Sequence, residues 1–224
     1  VFTTSGFALA DLKSPWLVLA AWTVGGILAS LGALSYGALA RRIPESGGEY
    51  IFLSRTLHPA AGHAAGWISL LVGFSAPLAA AAFGFGKYIT LWLPSLHPGV
   101  SDPRVSGSLV ILAFTLLHAA HIQRGAWVQN AAVLLKVFLI VGFVGLAFAR
   151  LDPPTPAPGS SFVLSKFAVT LVWISFSYSG WNAAIYIGGE VRDPERNLPR
   201  ALLLGTGVVT VLYLAINAVF VFSA

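Results

Sequence analysis

The sequence contains no cysteine, no methionine and very few charged residues. The absence of cysteine excludes a disulfide framework, thiol catalysis and a thiolate metal site. The absence of methionine, even at position 1, leads us to expect that the chain starts inside a longer reading frame or has been processed. Only 9% of the residues are charged and 57% are hydrophobic, whereas soluble domains carry about 25% charged residues. A soluble protein of this composition could not cover its surface, so the composition predicts an integral membrane protein.

The net charge of +5 does not indicate binding to nucleic acid. The basic residues occur singly and in pairs in short segments between apolar runs, with no basic face beside a soluble fold. His118 and His121 lie three residues apart but have no third ligand nearby, so no metal site is expected. No cofactor is expected either.

Long apolar runs alternate with short polar segments. A helix that spans a bilayer needs about 20 apolar residues, and six runs are suited to this role. A seventh run at the start is too short to cross alone, and a short surface helix is expected at 50–57. The predicted transmembrane helices and the half-helix before them are 1–10, 15–40, 60–93, 105–122, 126–149, 162–190 and 200–224.

Basic residues are unequally distributed between the two sets of loops. Loops 41–59, 121–125 and 192–200 carry seven arginines, whereas the opposite loops carry three basic residues. Cytoplasmic loops of membrane proteins carry an excess of lysine and arginine. We therefore expect a multi-pass protein of the cell membrane, surrounded by lipid, with the arginine-rich loops in the cytoplasm.

Small residues recur at every fourth position of the second predicted helix, at Gly25, Ala29, Ala33 and Gly37. Such stripes let helix backbones approach closely within lipid. We expect this stripe to be a packing surface, although a simple richness in glycine and alanine would produce the same pattern.

The segment "SYSGWN", Ser177–Asn182, places weak helix formers near the centre of an apolar run. Two structures are consistent with it. One is a continuous helix whose Ser and Asn side chains bond to neighbouring helices. The other is a broken helix, which membranes tolerate only where the backbone is buried in protein or lines a watery cavity. The segment 1–6 is similarly rich in Ser, Thr and Gly, and paired interruptions of this kind are typical of inverted-repeat transporters.

Three stretches strongly resemble the amino acid–polyamine–organocation superfamily, within its amino acid permeases. They are "VFTTSGF", "GALSYGALARRIPESGGEYIFL" and "FSYSGWNAAIYIGGEVRDPERNLPRAL". The resemblance covers essentially the whole chain and implies an all-α integral membrane protein with the inverted-repeat transporter fold of that superfamily. It implies a single truncated domain over 1–224, from the second half of helix 1 to helix 7, with helices 1 and 6 discontinuous.

The resemblance also implies a substrate site at the two discontinuities. In the family, carbonyls of the unwound sixth helix accept hydrogen bonds from the α-ammonium of an amino acid, and N–H groups of the first helix hold its carboxylate. Carried over by residue, the carbonyls belong to Phe176, Ser177 and Ser179, and the Phe176 ring is the gate. Gly180 lets the backbone turn, and Val1 contributes an N–H group. Ser179 stands where relatives often have Gly, so we expect bulky substrates to fit less well.

Lys136 lies deeper in its helix than any other lysine of the chain. It is 12 residues from Arg124 and 14 from Arg150, which corresponds to roughly 18–21 Å of helix on either side. Lys87 and Lys166 lie near helix ends and can extend to the interface. Lys136 is expected to face the bundle interior, either as a coupling residue or as a structural one. In some family members that resemble this chain, a lysine of helix 5 takes the place of sodium.

We therefore expect a secondary active transporter of amino acids that is independent of sodium and either coupled to protons or exchanging substrates. The alternative is an amino acid sensor on the same fold, without transport. A membrane enzyme is not expected, because the spans offer only scattered His and Ser besides lysine. No acidic side chain lies near Ser177–Asn182, which favours a neutral amino acid.

Overall fold

The computed structural model describes residues 2–92, 98–148 and 162–223, and this part of the chain is helical with no strand. The helices are α1 (Phe2–Leu12), α2 (Pro15–Arg42), α3 (Glu49–Thr56), α4 (Pro59–Trp92), α5 (Pro103–Ala120), α6 (Ile122–Phe148), α7 (Leu164–Tyr178) and α8 (Pro194–Phe222). A π-helical segment, Ser69–Ser75, lies within α4, and a single helical turn, Pro98–Ser101, precedes α5. A 3₁₀ segment, Ala183–Glu190, follows α7.

Proline marks the first position of several helices, where its missing N–H needs no partner. Ser14 caps α2 by accepting the N–H of Leu17 at 3.5 Å, and Asp102 caps α5 by accepting the N–H of Arg104 at 2.8 Å. α5 and α8 begin two and six residues before the apolar runs 105–122 and 200–224, each at a proline that follows an aspartate. The runs locate the apolar part of each helix, whereas the polar residue and the proline at its start mark where it begins.

Five helices of the described residues are long and apolar enough to cross a membrane, namely α2, α4, α5, α6 and α8. The sixth expected span, 162–190, is not one helix, because α7 ends at Tyr178.

The chain divides into two compact units, and the first comprises Val1–Phe52 and Phe138–Ala224. Its core surrounds Trp22 of α2, whose ring lies 5.8 Å from that of Tyr178 and 5.4 Å from that of Tyr213. The stripe of small residues on α2 is buried against α7 and α8. A methyl group on Gly25 would lie only 2.7 Å from Cγ2 of Ile174. The predicted packing surface is thus confirmed.

The second unit, Leu53–Val137, is built on the close approach of α4 and α5. A methyl group on Gly107 would lie 2.8 Å from the carbonyl oxygen of Ala82, and one on Gly86 would collide with the carbonyl of Pro103. Small residues thus allow backbone contact in this unit as well.

Candidate functional site

The helix break lies at Ser179–Asn182. Ser179 has extended backbone angles (φ −56°, ψ 151°) and Gly180 has a φ of +93°, which only glycine adopts without strain. The discontinuity predicted for this run is confirmed, with two differences. Phe176 and Ser177 remain in the last turn of α7, and the chain continues as a 3₁₀ segment because its N–H groups bond three residues back, as Ala183 does to Gly180 at 3.1 Å.

The carbonyls at the end of α7 differ in how many hydrogen bonds they already accept. Phe176 O accepts the N–H of Ser179 at 3.3 Å and its hydroxyl at 2.7 Å. Ser177 O accepts the hydroxyl of Tyr213 at 2.9 Å. No hydrogen bond within the described part of the chain reaches Ser179 O. Because a carbonyl oxygen has two lone pairs, Ser177 retains one acceptor position and Ser179 retains two. Their contact with a substrate stays a prediction.

α1 packs against α7 next to the break. The hydroxyls of Thr4 and Ser177 are hydrogen-bonded at 3.1 Å. The two segments that the sequence singled out are thus brought together. Val1 lies outside the described residues, so its part in holding a carboxylate stays a prediction.

A cavity of about 340 Å³ opens beside the break, and ligand pockets measure about 300–1,000 Å³. Thr206 is buried there, and its hydroxyl has no hydrogen-bond partner in the described residues. Phe176 is 64% exposed, and the role of its ring as a gate stays a prediction. The lining residues come from the end of α7, the break, the 3₁₀ segment and α8: Ser177, Tyr178, Ser179, Gly180, Trp181, Ala184, Ala201, Leu202, Gly205, Thr206, Val209 and Tyr213.

Two tyrosines of this site were missed by the sequence reasoning. Tyr178 donates its hydroxyl to the carbonyl of Trp22 at 3.1 Å, and Tyr213 donates to that of Ser177 at 2.9 Å. The two rings lie 5.2 Å apart. The available signal was a tyrosine inside an apolar run, since a buried tyrosine hydroxyl usually finds a partner.

Lys136 lies in the second unit, where it lines a cavity of about 1,070 Å³ together with residues of α4 and α5. The break belongs to the first unit, and the expectation that Lys136 faces the bundle interior stays a prediction. Within the described residues, no group of three His, Asp or Glu side chains could hold a metal ion.

Residues 1–224 match the family described as "Amino acid permease". The chain is 31% identical to the b(0,+)-type amino acid transporter 1 of Mus musculus over 234 aligned residues, covering 98% of this chain and 47% of that protein. It is 29% identical to the large neutral amino acids transporter small subunit 2 of Mus musculus, covering 99% of this chain and 44% of that protein. It is 26% identical to the Asc-type amino acid transporter 1 of Mus musculus, covering 98% of this chain and 43% of that protein.

The chain spans just under half the length of these curated relatives. The five membrane-compatible helices among the described residues agree with a multi-pass membrane protein. The match over the full chain and the broken helix lead to one assignment: the chain belongs to the amino acid permease family of the amino acid–polyamine–organocation superfamily.

Proposed function

We propose that this chain forms the substrate-recognising part of a secondary active transporter that moves amino acids across the membrane. The observation that carries the proposal is the break at Ser179–Asn182, which exposes backbone acceptors beside a cavity. Broken helices at membrane depth form substrate sites in secondary transporters. The names of the relatives support transport rather than sensing.

The substrate is a neutral amino acid. Its α-ammonium donates to the free acceptor positions of Ser177 and Ser179, at the end of α7 where the helix dipole favours positive charge. Its side chain occupies the adjoining cavity, whose lining residues include no charged side chain. This absence favours apolar or small polar side chains, because an unpaired charge would be costly there.

Transport does not require sodium, because the ammonium of Lys136 supplies the positive charge that a sodium ion would otherwise provide. The lysine gains and loses a proton during the cycle, or remains charged while substrates exchange. The depth of Lys136 in α6 supports a role inside the bundle, since a charge at that depth is costly unless it faces the bundle interior or a water-filled cavity.

The test is uptake of radiolabelled neutral amino acids by the complete protein in proteoliposomes, with and without a sodium gradient. Gly205→Phe should abolish uptake, because Gly205 lines the cavity and has open space beside it. Gly207→Phe is the matched control, since Gly207 has open space but is not a lining residue.

Equal uptake by the two variants would contradict the placement of the substrate in this cavity. Binding of amino acids without uptake by the unaltered protein would contradict transport and favour the sensor.

A further inference from the structure

The carboxylate of Glu49 receives hydrogen bonds from two other elements of the first unit. The side-chain amide of Asn182, in the break, and the hydroxyl of Tyr186, in the 3₁₀ segment, donate to its two oxygens. Hydrogen bonds to an ionised carboxylate are stronger than those between neutral groups. A single acidic side chain at the start of α3 therefore connects the break with the segment beyond it.

The loop before Glu49 binds the same segment through its backbone. The N–H of Gly189 donates to the hydroxyl of Ser46 at 2.9 Å, and the N–H of Gly47 donates to the carbonyl of Tyr186 at 3.2 Å. Gly48 has a φ of +57°, and a methyl group there would lie 2.7 Å from the Tyr186 ring. The loop therefore lies directly against the segment, which is held near its start, middle and end.

The 3₁₀ segment depends on such external contacts more than an α-helix would. The hydrogen-bond geometry of a 3₁₀ helix is poor, and runs longer than four residues are uncommon. Ile187 inside the segment departs from helical angles (φ −109°, ψ 21°). The position of the 3₁₀ segment is thus determined largely by the residues that it contacts, including Glu49.

This segment and the break also form part of the cavity wall. Trp181 and Ala184 line the cavity and stand on either side of Asn182. The Trp181 ring packs edge-on against Tyr36, with 4.9 Å between the ring centroids. A shift of Asn182 away from Glu49 would move both lining residues.

We propose that Glu49 is a positioning residue that holds the 3₁₀ segment in place through its hydrogen bonds to Asn182 and Tyr186, an arrangement we call the latch. The latch controls access to the cavity from the side of loops 41–59 and 192–200. The inference rests on the proposed function, since access matters only if the cavity takes a substrate. Glu49 does not touch the substrate. It acts through Asn182 and Tyr186, and its loss opens the cavity instead of removing a binding group.

The experiment measures how fast a reporter cysteine, Ala184→Cys, reacts with a membrane-impermeant thiol reagent applied to the side of loops 41–59. This chain has no cysteine of its own, and any elsewhere in the complete protein are replaced. Asn182→Asp places a second carboxylate against that of Glu49, and their repulsion should move the segment away from Glu49. Labelling of the Ala184→Cys reporter should then accelerate roughly tenfold, the factor that corresponds to about 1.4 kcal/mol. Adding Glu49→Gln to Asn182→Asp should restore the original labelling rate. The amide N–H of the new glutamine at position 49 then donates to the new aspartate at position 182, and the amide oxygen of the glutamine accepts from the hydroxyl of Tyr186.

Glu190→Gln is the matched control, because Glu190 is an exposed carboxylate at the end of the same segment, and it should leave the rate unchanged. Tyr186→Phe is a milder variant that removes one donor with little change in volume, and it should accelerate labelling to a smaller extent.

An unchanged rate in both Asn182→Asp and Tyr186→Phe overturns the latch, as does failure of the Glu49→Gln and Asn182→Asp pair to restore the rate. Labelling does not require transport. A protein that labels as expected but takes up no amino acid therefore retains the latch and loses the proposed function.

Discussion

Ser179 lines the cavity, and its side chain occupies space there that glycine would leave empty. Its hydroxyl is turned back onto the carbonyl of Phe176, at 2.7 Å. Ser179→Gly removes this group from the cavity wall and frees one acceptor position. We expect the variant to take up bulkier neutral amino acids better than the unaltered protein, as measured by competition between small and large substrates in proteoliposomes.

Ser175→Gly is the control for this variant, because Ser175 lies one turn earlier in α7, is exposed and does not line the cavity. A substrate profile that Ser179→Gly leaves unchanged would count against the placement of Ser179 beside the substrate side chain.

Lys136 is the residue on which the coupling hypothesis depends. If its proton cycles, Lys136→Ala abolishes uptake driven by a proton gradient, and Lys136→Arg does not rescue it because arginine stays charged at any accessible pH. Uptake at several pH values, together with equilibrium binding, tests this. Lys87→Ala is the control, since the Lys87 ammonium lies against the ring of Phe83, 5.0 Å from its centroid.

Loss of uptake with retained binding supports coupling, and loss of both indicates a structural lysine. Normal uptake by Lys136→Ala that does not change with pH would show that the lysine has neither role.

At the scale of the element, the break in the helix depends on one glycine. Gly180 has a φ of +93° and open space where a side chain would begin, so backbone strain alone opposes substitution. Gly180→Ala should cost about 1–2 kcal/mol of stability, the penalty of a left-handed conformation for an L-residue. Thermal unfolding of the purified complete protein would show it as a lowered midpoint.

Gly207→Ala provides the comparison for this change, because Gly207 also has open space but lies inside α8. Alanine is favoured over glycine in a helix by up to about 1 kcal/mol, so this variant should be at least as stable as the unaltered protein. Equal midpoints for the two variants would mean that Gly180 is not held at a positive φ.

At the scale of the whole molecule, the distribution of arginine predicts the orientation in the membrane. Single cysteines at His121 and Glu195 should react with an impermeant maleimide only after cells are permeabilised, whereas one at Asp11 should react in intact cells. All three positions are exposed. The reverse pattern would show that loops 41–59, 121–125 and 192–200 lie outside.

The sequence by itself determined the class of the protein, the approximate number of its spans and the location of the break. The class and the spans follow from local composition, because a bilayer requires a run of apolar residues. At the break, composition only weakens the helix, and it was the resemblance to the amino acid permeases that implied a discontinuity there. The spacing of Gly25, Ala29, Ala33 and Gly37 likewise identified a packing surface, because residues four apart share one face of a helix.

Only the tertiary structure decided which backbone acceptors remain free and what holds the segment after the break. Tyr213 is 36 positions from the Ser177 carbonyl that it bonds, and Glu49 is 133 and 137 positions from Asn182 and Tyr186. No local pattern pairs residues so far apart, because such hydrogen bonds form only once packing has brought the helices together. The sequence thus indicated where the helix would break, and the packing of α2, α3 and α8 around it determined which atoms meet there.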